Sequence, residues 1–287
     1  MIYFSSIQKL FTVIEMKNVL SFILSVLSVL IPLNFEITEK EQPEQLIVIM
    51  YHHLSEKSSL LNDYVITPNE FESDLKYLKN NGYKSVTTAQ IKNGNIPEKA
   101  VLITFDDGFL SNYKYAKPLL EKYNMTAVCA VIGSLMVEYT ENPNTISDCA
   151  YMDINTVNEM LTSGVFEIAS HTYDMHKFDT RKGCSKMKNE SETDYTSVLT
   201  KDLTEFNNLY FNSFNSTTDI IAFPYGEYSN LTVNIAQENG YKIMLTCEEK
   251  INTLVKNNNS PIILGRFNRP HGKSSEEFFA HISESKK

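Results

Sequence analysis

The sequence predicts an α/β protein whose mainly parallel strands close, or nearly close, into a barrel. Three observations carry that reading. Short apolar runs alternate with segments of helical character about eight times between residues 46 and 264, the pattern of a parallel sheet built from βα units. Runs such as Leu46-Ile47-Val48-Ile49-Met50 and Val101-Leu102-Ile103-Thr104-Phe105 are short and apolar, as buried strands are. Four of the runs end in polar or turn motifs: Tyr51-His52-His53, Asp106-Asp107-Gly108, His171-Thr172-Tyr173-Asp174-Met175-His176 and Pro224-Tyr225-Gly226.

The N-terminus reads as a targeting segment over residues 1–33. Lys9 and Lys17 precede an apolar run from Val19 to Leu33. As a helix that run would span roughly 22 Å, short of a hydrocarbon core of ~30 Å, so it suits a signal peptide or a short membrane anchor. Met16-Lys17 has the look of a natural signal start, which would make the first fifteen residues an extension. Residues 34–45 are polar and acidic with Pro43 and read as a linker, leaving 46–287 as the folded domain.

Within that domain the first strand is Leu46 to Met50. Thr67-Pro68-Asn69-Glu70 then opens a helix by a capping-box spacing with Pro at its first position, and Asn81-Gly82 ends it. Tyr83 to Val86 is a strand and Thr88 to Lys92 a short helix. After the Val101–Phe105 strand, Tyr113 to Tyr123 is expected helical with Pro118 as an interruption. Strands follow at 126–132, 166–170, 220–223, 242–245 and 262–264, and helices at 153–163, 193–211 and 229–239.

Composition narrows the partners. The chain has 287 residues, enough for one large α/β domain, and 42% of them are hydrophobic. Net charge is −9 and the only basic run is Lys286-Lys287, which argues against nucleic acid. There are 16 Tyr and 16 Phe but no Trp, so any aromatic platform for a sugar must use Tyr or Phe. The four cysteines lack zinc-ribbon or CxxC spacing. Cys129 and Cys247 read as buried; Cys149 and Cys184 fall in loops and are expected unpaired.

In a parallel barrel the four polar strand ends converge on one rim. Two carboxylates directly after an apolar strand exceed what a capping Asp and a turn require, and both can face one site only if the chain curls, which Gly108 permits. His171 and His176 are five residues apart, so on a helix they would lie about 140° apart. They can share a ligand only from a loop. Two imidazoles and one carboxylate form a catalytic zinc set with a position open for water.

These residues resemble a known family. Thr104-Phe105-Asp106-Asp107-Gly108, Ser170-His171-Thr172 through His176, and Phe223-Pro224-Tyr225-Gly226 are similar to three signature motifs of the polysaccharide deacetylases, the NodB-homology domain of carbohydrate esterase family four. The resemblance covers roughly 46–269. The histidine spacing and Met50-Tyr51-His52 look more like the poly-N-acetylglucosamine deacetylases of biofilm matrices. The resemblance implies a distorted (β/α)7-type barrel. It also implies Asp107, His171 and His176 as ligands of a divalent metal, zinc first and cobalt or nickel as alternatives, and Asp106 as general base. Leu264-Gly265-Arg266 stands where the commoner pattern has a late Leu-x-His, so by the resemblance to that branch the early strand supplies the general acid, and His52 is preferred over His53 because it directly follows Tyr51. Pro224 and Tyr225 are expected at the oxyanion, and Arg266 either orients an acidic group or is a surface side chain. The family's arginine before Phe223 is absent.

The function expected is therefore hydrolysis of N-acetyl groups on an amino-sugar polymer, such as poly-N-acetylglucosamine, peptidoglycan or a chitin-like chain. The expected protein is an exported monomer that is extracellular or anchored to the outer face of the cell membrane, touching the membrane only through its N-terminal segment. The rivals are an O-acetyl esterase on xylan-like polymers, an inactive carbohydrate-binding domain of the same fold, and a membrane-anchored scaffold.

Overall fold

The computed structural model describes residues 44–144, 147–179, 181–254 and 260–285. The targeting segment 1–33 and all but the end of the linker lie outside them. Twelve strands are present among the described residues: β1 (Glu44–Tyr51), β2 (His53–Leu54), β3 (Val65–Ile66), β4 (Lys84–Ser85), β5 (Ala100–Phe105), β6 (Ala127–Val131), β7 (Phe166–Ser170), β8 (Ile220–Ala222), β9 (Ile243–Leu245), β10 (Asn252–Leu254), β11 (Ile262–Leu264) and β12 (Phe267–Asn268). The domain's first strand thus begins at Glu44, inside the segment expected as linker.

The main sheet runs β1-β5-β6-β7-β8-β9-β11, all in parallel. Past β11 the chain continues through Gly265 and Arg266 into β12, which pairs in parallel with β1, Ile49 facing Phe267 and Met50 facing Asn268. The last strand position thereby returns to the first. Counting β11 and β12 as one broken stave, the staves are β1, β5, β6, β7, β8, β9 and β11/β12: the distorted (β/α)7 arrangement. The seam is partial, because β10 pairs antiparallel with the first half of β1.

Alternation along each strand sorts side chains to two faces. Leu46 and Val48 of β1, Ala100 and Leu102 of β5, Val128 and Ala130 of β6, Ile220 and Ala222 of β8, and Ile243 and Leu245 of β9 fill the barrel interior. The alternate set, including Ile47, Ile49, Val101, Ile103 and Phe105, packs outward under the helices. Every residue of β5 is buried; each large apolar side chain so covered is worth about 1.5–3 kcal/mol.

The helices among the described residues are α1 (Pro68–Asn80), α2 (Thr88–Lys92), α3 (Lys117–Tyr123), α4 (Gly133–Glu141), α5 (Ile154–Thr162), α6 (Glu192–Phe214), α7 (Asn230–Glu238) and α8 (Ser275–Glu284). Thr67 and Glu70 form the expected capping box on α1. Pro118 falls within one continuous helical run: a π turn over Asn112–Ala116 leads directly into α3, and the proline, which donates no N–H, sits just where the π turn gives way to α3. Sequence periodicity did not reveal α4 or α8, although Ser274 and Glu277 make a capping box on α8. No helix among the described residues is long and apolar enough to cross a membrane. All four cysteines are free thiols, and Cys247 is exposed rather than buried, because it lies beyond the end of β9.

A buried ion pair ties the first and last elements of the described domain together. Asp74 of α1 accepts from Arg269 Nε at 2.8 Å, from Tyr51 Oη at 3.1 Å and from Ser275 Oγ at 2.6 Å. Arg269 and Asp74 are both fully buried. One cluster therefore holds β1, α1, the residue after β12 and α8. Removing one charge strands the other in a dry interior. Arg269→Met should lower the unfolding free energy by about 3–5 kcal/mol in urea denaturation; a loss below about 1 kcal/mol would show that the cluster does not hold the ends.

Candidate active site

The site is assembled at the carboxyl ends of β1, β5, β7 and β8, from residues that continue the strands or turn off them. Asp106 prolongs β5: its N–H donates to the Tyr51 carbonyl at 2.9 Å, one step beyond the ladder. It shares parity with Leu102, so its side chain lies on the interior face. The chain then reverses. Asp107 has φ 72° and Gly108 φ 79°, so the curl begins one residue before the glycine. A Cβ on Gly108 would also lie 3.0 Å from Val131 Cγ1.

His171 follows β7, its N–H donating to the Val131 carbonyl at 2.9 Å. Its Nδ1 lies 2.8 Å from the Ala222 carbonyl oxygen. A carbonyl only accepts, so Nδ1 carries the proton and Nε2 is the atom turned to the pocket. Thr172 then adopts φ 68°, rare for a β-branched residue. The loop is clamped in that shape. Gly133 and Ser134 N–H groups donate to the Thr172 and Tyr173 carbonyls at 3.1 and 2.7 Å. Asp202 of α6 accepts the N–H of Tyr173 on one carboxylate oxygen and that of Asp174 on the other, both at 2.8 Å. Met175 N–H donates to Thr172 Oγ1 at 3.1 Å. The loop delivers His176 beside His171, ring centroids 5.0 Å apart.

His171 Nε2 and His176 Nε2 lie 3.4 and 3.2 Å from Asp107 Oδ1. One donor atom from each of the three residues falls within 4.8 Å of the others. That Asp107 oxygen is buried and accepts no hydrogen bond, a costly state for a carboxylate unless a cation meets it. Two imidazole nitrogens and one carboxylate oxygen facing a common point fit a divalent metal. Burial would raise the Asp107 carboxyl, but the two histidines hold it well below the usual carboxylate range. Burial would lower His171, but Asp106 and Asp107 outweigh it and raise its pKa. A proton or a metal cation therefore answers the carboxylates at the same place.

Asp106 has a different partner. Arg266 donates to its two oxygens from Nη1 and Nη2, each at 2.7 Å. The same guanidinium donates from Nε to the Thr246 carbonyl at 2.9 Å and from Nη1 to Thr104 Oγ1 at 3.2 Å. Arg266 is fully buried, so it is no surface side chain. Burial pushes Asp106 up, but Arg266 and then His171 bring it below its ordinary value. A Cβ at Gly265 would lie 2.3 Å from the Glu248 carbonyl oxygen, so that glycine lets the backbone pass close enough to aim Arg266 inward.

The two neighbouring histidines diverge, as successive residues leaving a strand do. His52 has the parity of Leu46 and Val48, and Asp107 and Asp106 both act on its charge; burial outweighs them and lowers its pKa. Its carbonyl accepts from Asn112 Nδ2 at 2.8 Å, and its Nδ1 is buried without a partner. His53 turns outward, its Nδ1 2.9 Å from Ser111 Oγ and its ring 4.8 Å from that of Phe109. Pro224, Tyr225 and Gly226 form a 3-10 turn with Tyr225 at φ 57°. The Tyr225 hydroxyl is 3.3 Å from His176 Nδ1.

Asp202 is the residue that sequence reasoning missed. It lies mid-helix, and nothing local marks it apart from a solvent-facing acid. Burial pushes its pKa up to about 6, against the pull of the Asp174 and Tyr173 N–H groups. Asp202→Asn puts an NH2 where one N–H now donates. It should weaken Zn²⁺ or Co²⁺ binding by about 10–100-fold in a direct titration; unchanged affinity would mean the loop keeps its shape without this clamp.

Comparison with known proteins agrees with this geometry. Residues 93–244 match the family model described as polysaccharide deacetylase. YxkH of Bacillus subtilis (strain 168), itself named a polysaccharide deacetylase, is 31% identical over 213 residues, 72% of this chain and 66% of its own length. A poly-beta-1,6-N-acetyl-D-glucosamine N-deacetylase of Staphylococcus aureus (strain MRSA252) is 28% identical over 230 residues, 78% of this chain and 73% of the relative. Among solved structures, a de-N-acetylase from Aggregatibacter actinomycetemcomitans superposes with a TM-score of 0.69 at 25% identity, over 84% of this chain and 99% of that one. IcaB from Ammonifex degensii gives 0.67 at 25% identity, over 86% and 99%.

Proposed function

This chain belongs to the polysaccharide deacetylase family, and from that membership and the pocket we propose that it is an exported, metal-dependent N-deacetylase of an amino-sugar polymer. Poly-β-1,6-N-acetyl-D-glucosamine, the polymer in the staphylococcal relative's name, is the first candidate substrate. The observation that carries the reading is the unsatisfied Asp107 oxygen facing two imidazole nitrogens, with a second, ionised carboxylate beside them. We read the protein as a monomer working outside the membrane or on its outer face.

Asp107, His171 and His176 would hold the ion, zinc before cobalt or nickel by their donor types. Such an ion supplies Lewis acidity, polarising the acetamide carbonyl and easing deprotonation of water. The remaining work falls to side chains. Asp106 takes the proton of the attacking water. Its pairing with Arg266 fixes the carboxylate plane, and each oxygen keeps a lone pair beyond its bond to the guanidinium. The Tyr225 N–H, in the first turn of its 3-10 segment, is free of that turn's own hydrogen bonding and can meet the developing oxyanion. Pro224 sets the turn and brings no competing N–H. When the carbon–nitrogen bond breaks, the amine must leave protonated. His52 supplies that proton as an imidazolium, held protonated by the neighbouring Asp107 and Asp106 carboxylates against the burial that lowers its pKa.

The deciding experiment is acetate release from poly-N-acetylglucosamine, chitin oligomers, peptidoglycan and acetylated xylan. Release from an amino-sugar polymer, abolished by chelation and restored by Zn²⁺ or Co²⁺, is expected. Release from xylan alone would make the protein an O-acetyl esterase, and activity indifferent to thorough chelation would remove the metal. Asp106→Asn should lower kcat by about 10²–10⁴ while metal stoichiometry stays at that of the wild type; loss of metal would make Asp106 a ligand. His52→Ala should lower kcat by about 10²–10⁴ and more than His53→Ala does, and the reverse order would move the acid to His53.

A further inference from the structure

We infer that the pocket is built for an internal residue of a glycan chain, with Tyr64 and Phe178 as stacking platforms for the sugars on its two sides. The inference rests on the deacetylase reading and extends it to the length and direction of substrate bound. Tyr64 and Phe178 are the most exposed large hydrophobic residues described, at 57% and 68%. Neither is isolated on the surface. Tyr64 makes a T-shaped contact with His52, centroids 5.0 Å apart. Phe178 makes one with Tyr225 at 5.3 Å, and Tyr225 lies 4.6 Å from His176. Each platform thus adjoins a residue of the site.

Strand order separates them. His52 follows β1 and Tyr225 follows β8, three or four staves apart round a seven-stave ring. Asp107, after β5, and His171, after β7, lie on the arc between. A chain running from one ring to the other would pass over the metal-binding trio.

The backbone beneath both rings is also held in place. Tyr64 N–H donates to Asn62 Oδ1 at 2.8 Å, its carbonyl accepts from His53 N–H at 3.2 Å, and Asn268 Nδ2 holds the Asp63 carbonyl at 2.8 Å. Phe178 is bridged to Lys182, and Gly183 N–H donates to the Lys177 carbonyl at 3.0 Å. Gly183 sits so close to the Pro224 turn that a Cβ would lie 2.5 Å from the Pro224 carbonyl oxygen. Lys182 is 5.5 Å from the Phe178 ring centre and pairs with Glu227 at 2.6 Å. Fixed, exposed rings lose little freedom on binding. A pyranose offers an apolar C–H face to such a ring and keeps its hydroxyls in water, and with no Trp in the chain this task falls to Tyr and Phe.

The test is steady-state kinetics of the metal-loaded full chain on β-1,6-linked N-acetylglucosamine, from monosaccharide to pentasaccharide. Wild-type kcat/KM should rise with length up to at least the trisaccharide. In Tyr64→Ala and in Phe178→Ala the loss on the pentasaccharide should exceed that on the monosaccharide by about 5–20-fold, carried mainly by KM. Tyr64→Phe and Phe178→Tyr should restore the length dependence. An active wild type blind to length, losses equal at every length, or failure of the conservative variants to restore it would each overturn the inference alone. A wild type that releases no acetate at any length would overturn the deacetylase reading and this inference with it.

Discussion

The structure depends on a pair of opposite charges taken out of water at the mouth of the barrel. Asp106 and Arg266 are both buried and bonded through two parallel contacts. Beneath them the interior is filled by Leu46, Val48, Leu102, Val128 and their neighbours, so solvent screens the attraction little. Either charge alone would be costly there. The pair also has a mechanical effect: it joins β5 to the link between β11 and β12, the stave that brings the sheet back to β1. Closure of the barrel and orientation of Asp106, the base we propose, are one interaction.

Around that fixed point the rim is strained where the chemistry is placed. Among the described residues, five other than glycine have positive φ: Asp107, Asn124, Thr172, Asn215 and Tyr225. Asn124 and Asn215 are helix C-caps, an ordinary use of that conformation. The other three belong to the pocket, and a Thr and a Tyr there are unusual. Strain of this kind persists only where surroundings enforce it. For Thr172 the enforcement is visible in the N–H groups of Gly133 and Ser134 and in the two-oxygen clamp of Asp202.

Much of this was legible in the sequence, and the reason is parity. Strand ends carrying polar residues marked the rim, and the spacing of His171 and His176 already excluded a shared helix face. Alternation in β1 would also have separated His52 from His53, since only His52 shares the register of Leu46 and Val48. What stayed hidden depends on contacts between distant segments. Arg266 reads as orienting or superficial until the barrel is closed, because its partner lies 160 residues away. Asp202 looks like any helical acid until α6 is laid against the loop between His171 and His176. The helix α4 escaped because Gly133 opens it, where only the close approach of Tyr173, 2.8 Å from a hypothetical Cβ, explains the residue.

The seam between β1 and β12 has a consequence for how the protein comes into being. A chain made from its N-terminus presents β1 first and β12 nearly last. Until the last stave arrives, β1 lacks its closing neighbour and Asp106 lacks its counter-charge. Contacts so distant in sequence are slow to form, so the pocket is complete only once almost the whole polypeptide is present.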